Sequence, residues 1–257
     1  KTCFILRCAN KGGGGPAAPT TNKSQLLVIG DSISIGWSPV LFPLLPQYES
    51  QHDPVNAGPA LKGYHCSHTW VGNSSGDSRW DVIAFNFGLH SLDNPPTQES
   101  ETLKNYTHEL QVIGNILKQS AKRVVWVTTT PVPLNVTEGP GRHNRDVIRF
   151  NEAAAMVMGS LDIEICDIYR TVMHVCPNVT GAPDYTYVSC LLQTPGGVHF
   201  PNHYDVLVDT IYECITGHVE PPTPPPPPPA LLCAEAYAKT CPGKGAGKGQ
   251  PCSDCFV

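Results

Sequence analysis

A chain of 257 residues with 40% hydrophobic and 15% charged residues holds enough apolar matter for a packed core and is no disordered polyelectrolyte. Its formal net charge of −5 offers no basic footprint for nucleic acid, and no apolar run reaches the roughly 20 residues that a membrane-spanning helix needs. Eleven cysteines exceed what a reducing cytosol favours and point to an oxidising compartment; the odd number leaves at least one thiol free, modified or intermolecular, and the pairing is not readable from sequence.

Residues 1–24 read as a leader. Cys3 and Cys8 can close a small loop or pair elsewhere, and the glycines at 12–15 make a flexible run. The opening residue is Lys1 rather than methionine, which points to removal of a signal peptide or of another upstream segment. From 25 to 218 the pattern is α/β. Short apolar runs at 26–29, 81–87, 123–128 and 163–168 predict strands, and the first two end in Gly30 and Gly88. Helical periodicity over about 98–119, 143–159 and 203–216 separates them or follows the last. Strands alternating with helices predict a parallel sheet covered on both faces, with ligands at the carboxyl ends of the strands. Residues 219–229 are proline-rich and form a stiff polyproline II linker that cannot join a core. The tail, 230–257, carries Cys233, Cys241, Cys252 and Cys255 and is too small for a core without disulfide staples. Its C-x-x-C pair has no partner pair at zinc-finger spacing, so no metal is expected. Sequons of the N-x-S/T type stand at Asn22, Asn73, Asn105, Asn135 and Asn178, five of the thirteen asparagines. With the cysteines they point to a eukaryotic secretory route and an extracellular protein.

The chemistry concentrates after the first strand. In Gly30-Asp31-Ser32-Ile33-Ser34 an apolar strand ends in glycine and a serine follows at a helix start. That geometry exposes a hydroxyl at the top of the sheet and turns a backbone N–H toward a developing oxyanion. The plainer reading is a helix cap.

Four blocks in chain order resemble the SGNH (GDSL-type) hydrolases over about 25–217. GDSIS matches the first block. Asn56-Ala57-Gly58-Pro59, followed by Gly63, stands at the second, and Phe85-Asn86-Phe87-Gly88-Leu89-His90-Ser91 at the third. Gly197-Val198-His199-Phe200 resembles the histidine block. With Thr128-Thr129-Thr130-Pro131-Val132-Pro133 these look like a divergent branch with a GLH third block. The resemblance implies a three-layer flavodoxin-like fold, a parallel sheet with helices on both faces. It implies Ser32 as nucleophile, His199 as base, and an oxyanion hole from Ser32, Gly58 and His90, with no metal and no cofactor. Family members are mostly esterases, lipases and carbohydrate deacetylases.

Three positions depart from the family pattern. His90 replaces the usual third-block asparagine, although an imidazole N–H can donate in its place. Ser91 replaces the acid that often follows. Gly196 stands three residues before His199, where the family usually places the orienting Asp. In the serine-protease template, loss of that charge costs about 10⁴ in turnover. Asp205 and Asp184 are candidate substitutes, and nothing in the sequence selects either. The remaining histidines, His52 among them, read mostly as surface residues. His65 and His68 flank Cys66 in a weak metal-like pattern. Trp37, Trp70, Trp80 and Trp126 read as core or pocket wall rather than a sugar platform.

Two functions follow from these residues. The leading one is a secreted carboxyl-ester hydrolase of the cell wall or matrix, deacylating an O-acylated carbohydrate by a Ser–His mechanism. The alternative is a catalytically degenerate glycoprotein with a structural or binding role in a matrix or filament. Its proline-rich segment resembles hydroxyproline-rich matrix glycoproteins, and that segment and the Cys-rich C-terminus would serve self-association.

Overall fold

The computed structural model describes residues 8, 21–53, 56–72, 79–92, 99–134, 136–137, 141–176 and 192–217. All belong to the first of the chain's two units, Lys1–Val219; the second is Glu220–Val257. Outside the described residues lie Cys3, most of the 1–24 leader, Asn73, Asn135, Asn178, Asp184, the 219–229 linker and the 230–257 tail with its four cysteines.

Five parallel strands form one sheet in the order β2-β1-β3-β4-β5, the 2-1-3-4-5 order of flavodoxin-like folds. The three inner strands are β1 (Ser24–Ile29), β3 (Trp80–Phe85) and β4 (Ala121–Val127). Both faces of these strands are covered, so they read as almost unbroken apolar runs. Leu26, Leu27, Ile83, Ala84 and Trp126 are completely buried. Each large side chain so buried contributes about 1.5–3 kcal/mol relative to exposure.

The edge strands differ. β2 (Tyr48–His52) is YESQH, half-buried at every position, so it carries no apolar run for a sequence reading to find. Polar edge strands of this kind also resist pairing with other chains. β5 is only Glu164–Cys166, shorter than the predicted 163–168, because Asp167 caps α5 (Ile168–Val175) by accepting from the Arg170 N–H. Likewise β3 ends at Phe85, short of the predicted 81–87, and Asn86 and Phe87 fall outside the strand.

The helices form two groups, α2 (Ala60–Trp70) with α3 (Glu99–Ser120) and α4 (Asn144–Ser160), and α1 (Ser32–Leu41) with α5 and α6 (Asp205–Thr216). The predicted 98–119, 143–159 and 203–216 correspond to α3, α4 and α6. Cys8 pairs not with Cys3 but with Cys66 on α2, which also removes Cys66 from any metal site with His65 and His68. Cys166–Cys214 ties β5 to α6. These bridges close loops of 58 and 48 residues, each worth roughly 2–4 kcal/mol. Arg123 reinforces the second tie. Its guanidinium bonds Glu164 on β5 and the carbonyls of Cys214 and Ile215 at 3.1 and 2.9 Å, where a cation also suits the α6 C-terminus. All four tryptophans are buried, as core residues. Among the described residues no helix is long and apolar enough to cross a membrane.

Candidate active site

Strand β1 leaves the sheet through Gly30 and Asp31. Asp31 is extended (φ −97°, ψ −160°) and its Oδ1 accepts from the Ile33 N–H at 2.9 Å, capping α1. Ser32 therefore takes the first helical position, whose N–H has no acceptor within the helix. Its half-buried side chain emerges at the carboxyl edge of a central strand.

His199 arrives from 167 residues away and places Nε2 at 2.7 Å from Ser32 Oγ. Its loop leads into α6, and α6 is fixed at both ends. The Cys166–Cys214 bridge holds the C-terminal end. At the N-terminal end the Tyr204 ring lies so close to α1 that a Cβ on Gly36 would sit 2.0 Å from it. Only glycine at 36 admits that approach, which brings the helix bearing Ser32 against the segment bearing His199.

The position at which the family places its acid has a backbone reason for lacking one. Thr194 O accepts from the Gly197 N–H at 2.8 Å, and Gly196 lies at φ +70°. Pro195-Gly196 is thus the centre of a tight turn with proline then a left-handed residue, the type II signature. Of the two candidate substitutes, Asp205 is exposed in the first turn of α6, where a carboxylate answers the helix dipole.

Asp31 is 3% exposed. Burial pushes its carboxyl up from the ordinary range, opposed by the Ile33 N–H and by the positive fields of His90, His199 and Arg142. His90 and Arg142 thus act electrostatically on Asp31. His90 sits half-buried on a 3₁₀ turn, Leu89–Ser91. Ser91, at the other departure, has its own role: its Oγ accepts from the Ala60 N–H at 3.2 Å and ties this turn to the start of α2. Gly58 contributes an N–H that donates to Asn56 Oδ1 at 2.9 Å. Asn86 instead braces the sheet edge, donating to Val127 O at 2.6 Å.

Two residues were missed from sequence. Arg142, in a Gly-Arg-His loop before α4, carries no motif that could have flagged it. His52, read as a surface residue, places Nε2 at 2.8 Å from Ser34 Oγ. A cavity lined by Asp31, Ser34, Trp37, Asn86, Leu89 and Thr128–Thr130 lies beneath the site. Neither Ser32 nor His199 lines it, so it is not where a substrate meets them. Among the described residues, no cluster of three His, Cys, Asp or Glu side chains is placed to hold a metal ion.

No family model and no curated protein matches the sequence. Solved structures do match by shape. A GDSL-like lipase from Bacteroides thetaiotaomicron superposes with TM-score 0.55 at 13% identity, covering 79% of this chain and 93% of that one. A putative acylhydrolase from Bacteroides fragilis gives 0.56 at 14%, covering 86% and 99%. An acetyl xylan esterase gives 0.54 at 14%, covering 74% and 99%. With the sheet order and the two helical layers, these place the chain in the GDSL/SGNH hydrolase fold.

Proposed function

We propose that this chain is a secreted carboxyl-ester hydrolase that deacylates an O-acylated carbohydrate. The observation that carries the proposal is the 2.7 Å approach of His199 Nε2 to Ser32 Oγ at the carboxyl edge of β1. In the reaction His199 takes the Ser32 proton as Oγ attacks the ester carbonyl. It then gives that proton to the leaving alkoxide as the C–O bond breaks, leaving an acyl-serine. Water, deprotonated by His199, releases the acid and restores the hydroxyl. The oxyanion is held by the Ser32 N–H, the Gly58 N–H and the His90 ring N–H. The Gly58 donor is shared with Asn56 Oδ1. No step calls for a metal or cofactor.

The substrate class rests on the acetyl xylan esterase among the structural neighbours and on the secretory character of the sequence. Both described sequon asparagines, Asn22 and Asn105, are exposed, as acceptors of N-linked glycans must be. The same reading extends glycans to Asn73, Asn135 and Asn178, and it gives the proline-rich and Cys-rich segments the part of holding the enzyme in a wall or matrix. The test is a fluorophosphonate probe, with the modified peptide read by mass spectrometry and Ser32→Ala as control. Labelling confined to Ser32 is expected. A folded protein that takes no label would leave the structural or binding role in its place.

A further inference from the structure

We infer that Gln193 is a positioning residue for His199, its amide clamping the histidine loop against the end of β4. The inference rests on the hydrolase reading for its catalytic meaning. His199 lies outside any helix or strand, so its ring is placed only as well as its loop is anchored. Gln193 is 3% exposed. Its Nε2 donates to Pro131 O at 3.1 Å and to Val198 O at 3.4 Å. The first acceptor belongs to the segment leaving β4; the second belongs to the residue before His199.

Both ends of the clamp are held. On the β4 side, Asn151 exchanges two 2.9 Å bonds with the backbone of Thr129, and Asn144 Oδ1 accepts from the Val132 N–H at 3.2 Å. On the histidine side, His199 O accepts from the Thr194 N–H at 2.8 Å, and Gly196 O accepts from the Thr137 N–H at 2.7 Å. Gln193 joins these two rigid pieces through a neutral group with two donors. Two facing carbonyls leave no doubt about which end of the amide meets them. The other end, Oε1, is buried without a hydrogen-bond partner. An unpaired buried acceptor is unfavourable, a cost that an apolar residue at 193 would not carry.

The test compares wild type, Gln193→Glu and Gln193→Met by the rate of fluorophosphonate labelling at Ser32 over roughly pH 5.5 to 9, a span in which a buried carboxyl can titrate. Glutamate keeps the shape but turns an ionised oxygen toward two carbonyls; protonated, it regains one donor. Gln193→Glu is expected to label roughly ten- to a hundredfold more slowly than wild type at pH 8–9. Its rate relative to wild type should recover as pH falls. Gln193→Met should be slow at every pH. A merely structural defect would lower both variants without that pH-dependent ratio. A Gln193→Glu profile parallel to wild type overturns the inference. If wild type takes no label, the hydrolase reading fails separately, and the clamp is judged from the His199 ring-proton resonance. A shift in Gln193→Met with the His203 resonance unmoved supports it; an unmoved His199 resonance overturns it.

Discussion

One helix carries two serine–histidine pairs of nearly equal length. Ser32 Oγ lies 2.7 Å from His199 Nε2, and Ser34 Oγ lies 2.8 Å from His52 Nε2. Distance alone does not separate them; hydrogen bonding and burial do. Ser34 is buried and already donates its one O–H to Asp31 O at 2.7 Å. It can therefore only accept from His52, whose Nε2 must carry the proton, the opposite of what a general base needs. Ser32 stands at the first helical position, half-buried, beside an N–H with no acceptor in its helix. A nucleophile needs a hydroxyl whose proton can leave toward the imidazole, and of the two pairs only the first offers that.

The sharpest way to break the comparison is to remove each pair in turn. Ser32→Ala and His199→Ala should each lower probe reactivity or ester turnover by roughly 10⁴-fold or more, as loss of one member of a catalytic pair does. Ser34→Ala and His52→Ala should keep the labelling and instead lose about 0.5–1.5 kcal/mol of stability with the hydrogen bond between them, seen as a fall in Tm. Equal losses of labelling in both pairs would abolish the distinction. A smaller effect is expected from restoring the family's acid. Gly196→Asp forces a side chain into a left-handed position at about 1–2 kcal/mol, and should lower Tm without raising the labelling rate. A gain in rate would show that the turn can yield to the carboxylate.

The smallest effect lies away from both pairs. Partial burial pushes the Glu109 carboxyl up to about 7. The folded chain thus holds this proton after the unfolded chain has released it. Stability is lost as pH rises from the ordinary carboxyl range through about 7, and stays lost above it. Glu109→Gln should therefore raise Tm relative to wild type at pH 8 and much less at pH 4.5. Because the group is half-exposed the difference is small, and labelling at Ser32 should not change.

Much of this was legible in order along the chain. The apolar runs of β1, β3 and β4 and the periodicity of α3, α4 and α6 are local patterns, set by a few neighbouring residues facing one core. Asp31 before Ser32 announced a cap, and the ordered blocks led to His199. β2 and α2 were not legible, because YESQH and a helix rich in His, Ser and Gly carry little apolar signal of either period. Sequence by itself determined the sheet's inner strands, the capped serine and the short roster of histidines that could meet it. Tertiary structure alone decided that His52 reaches Ser34, that Cys8 joins Cys66, and that Gln193 bridges two loops. Each of these contacts joins residues 18 to 62 positions apart, and no local period records them.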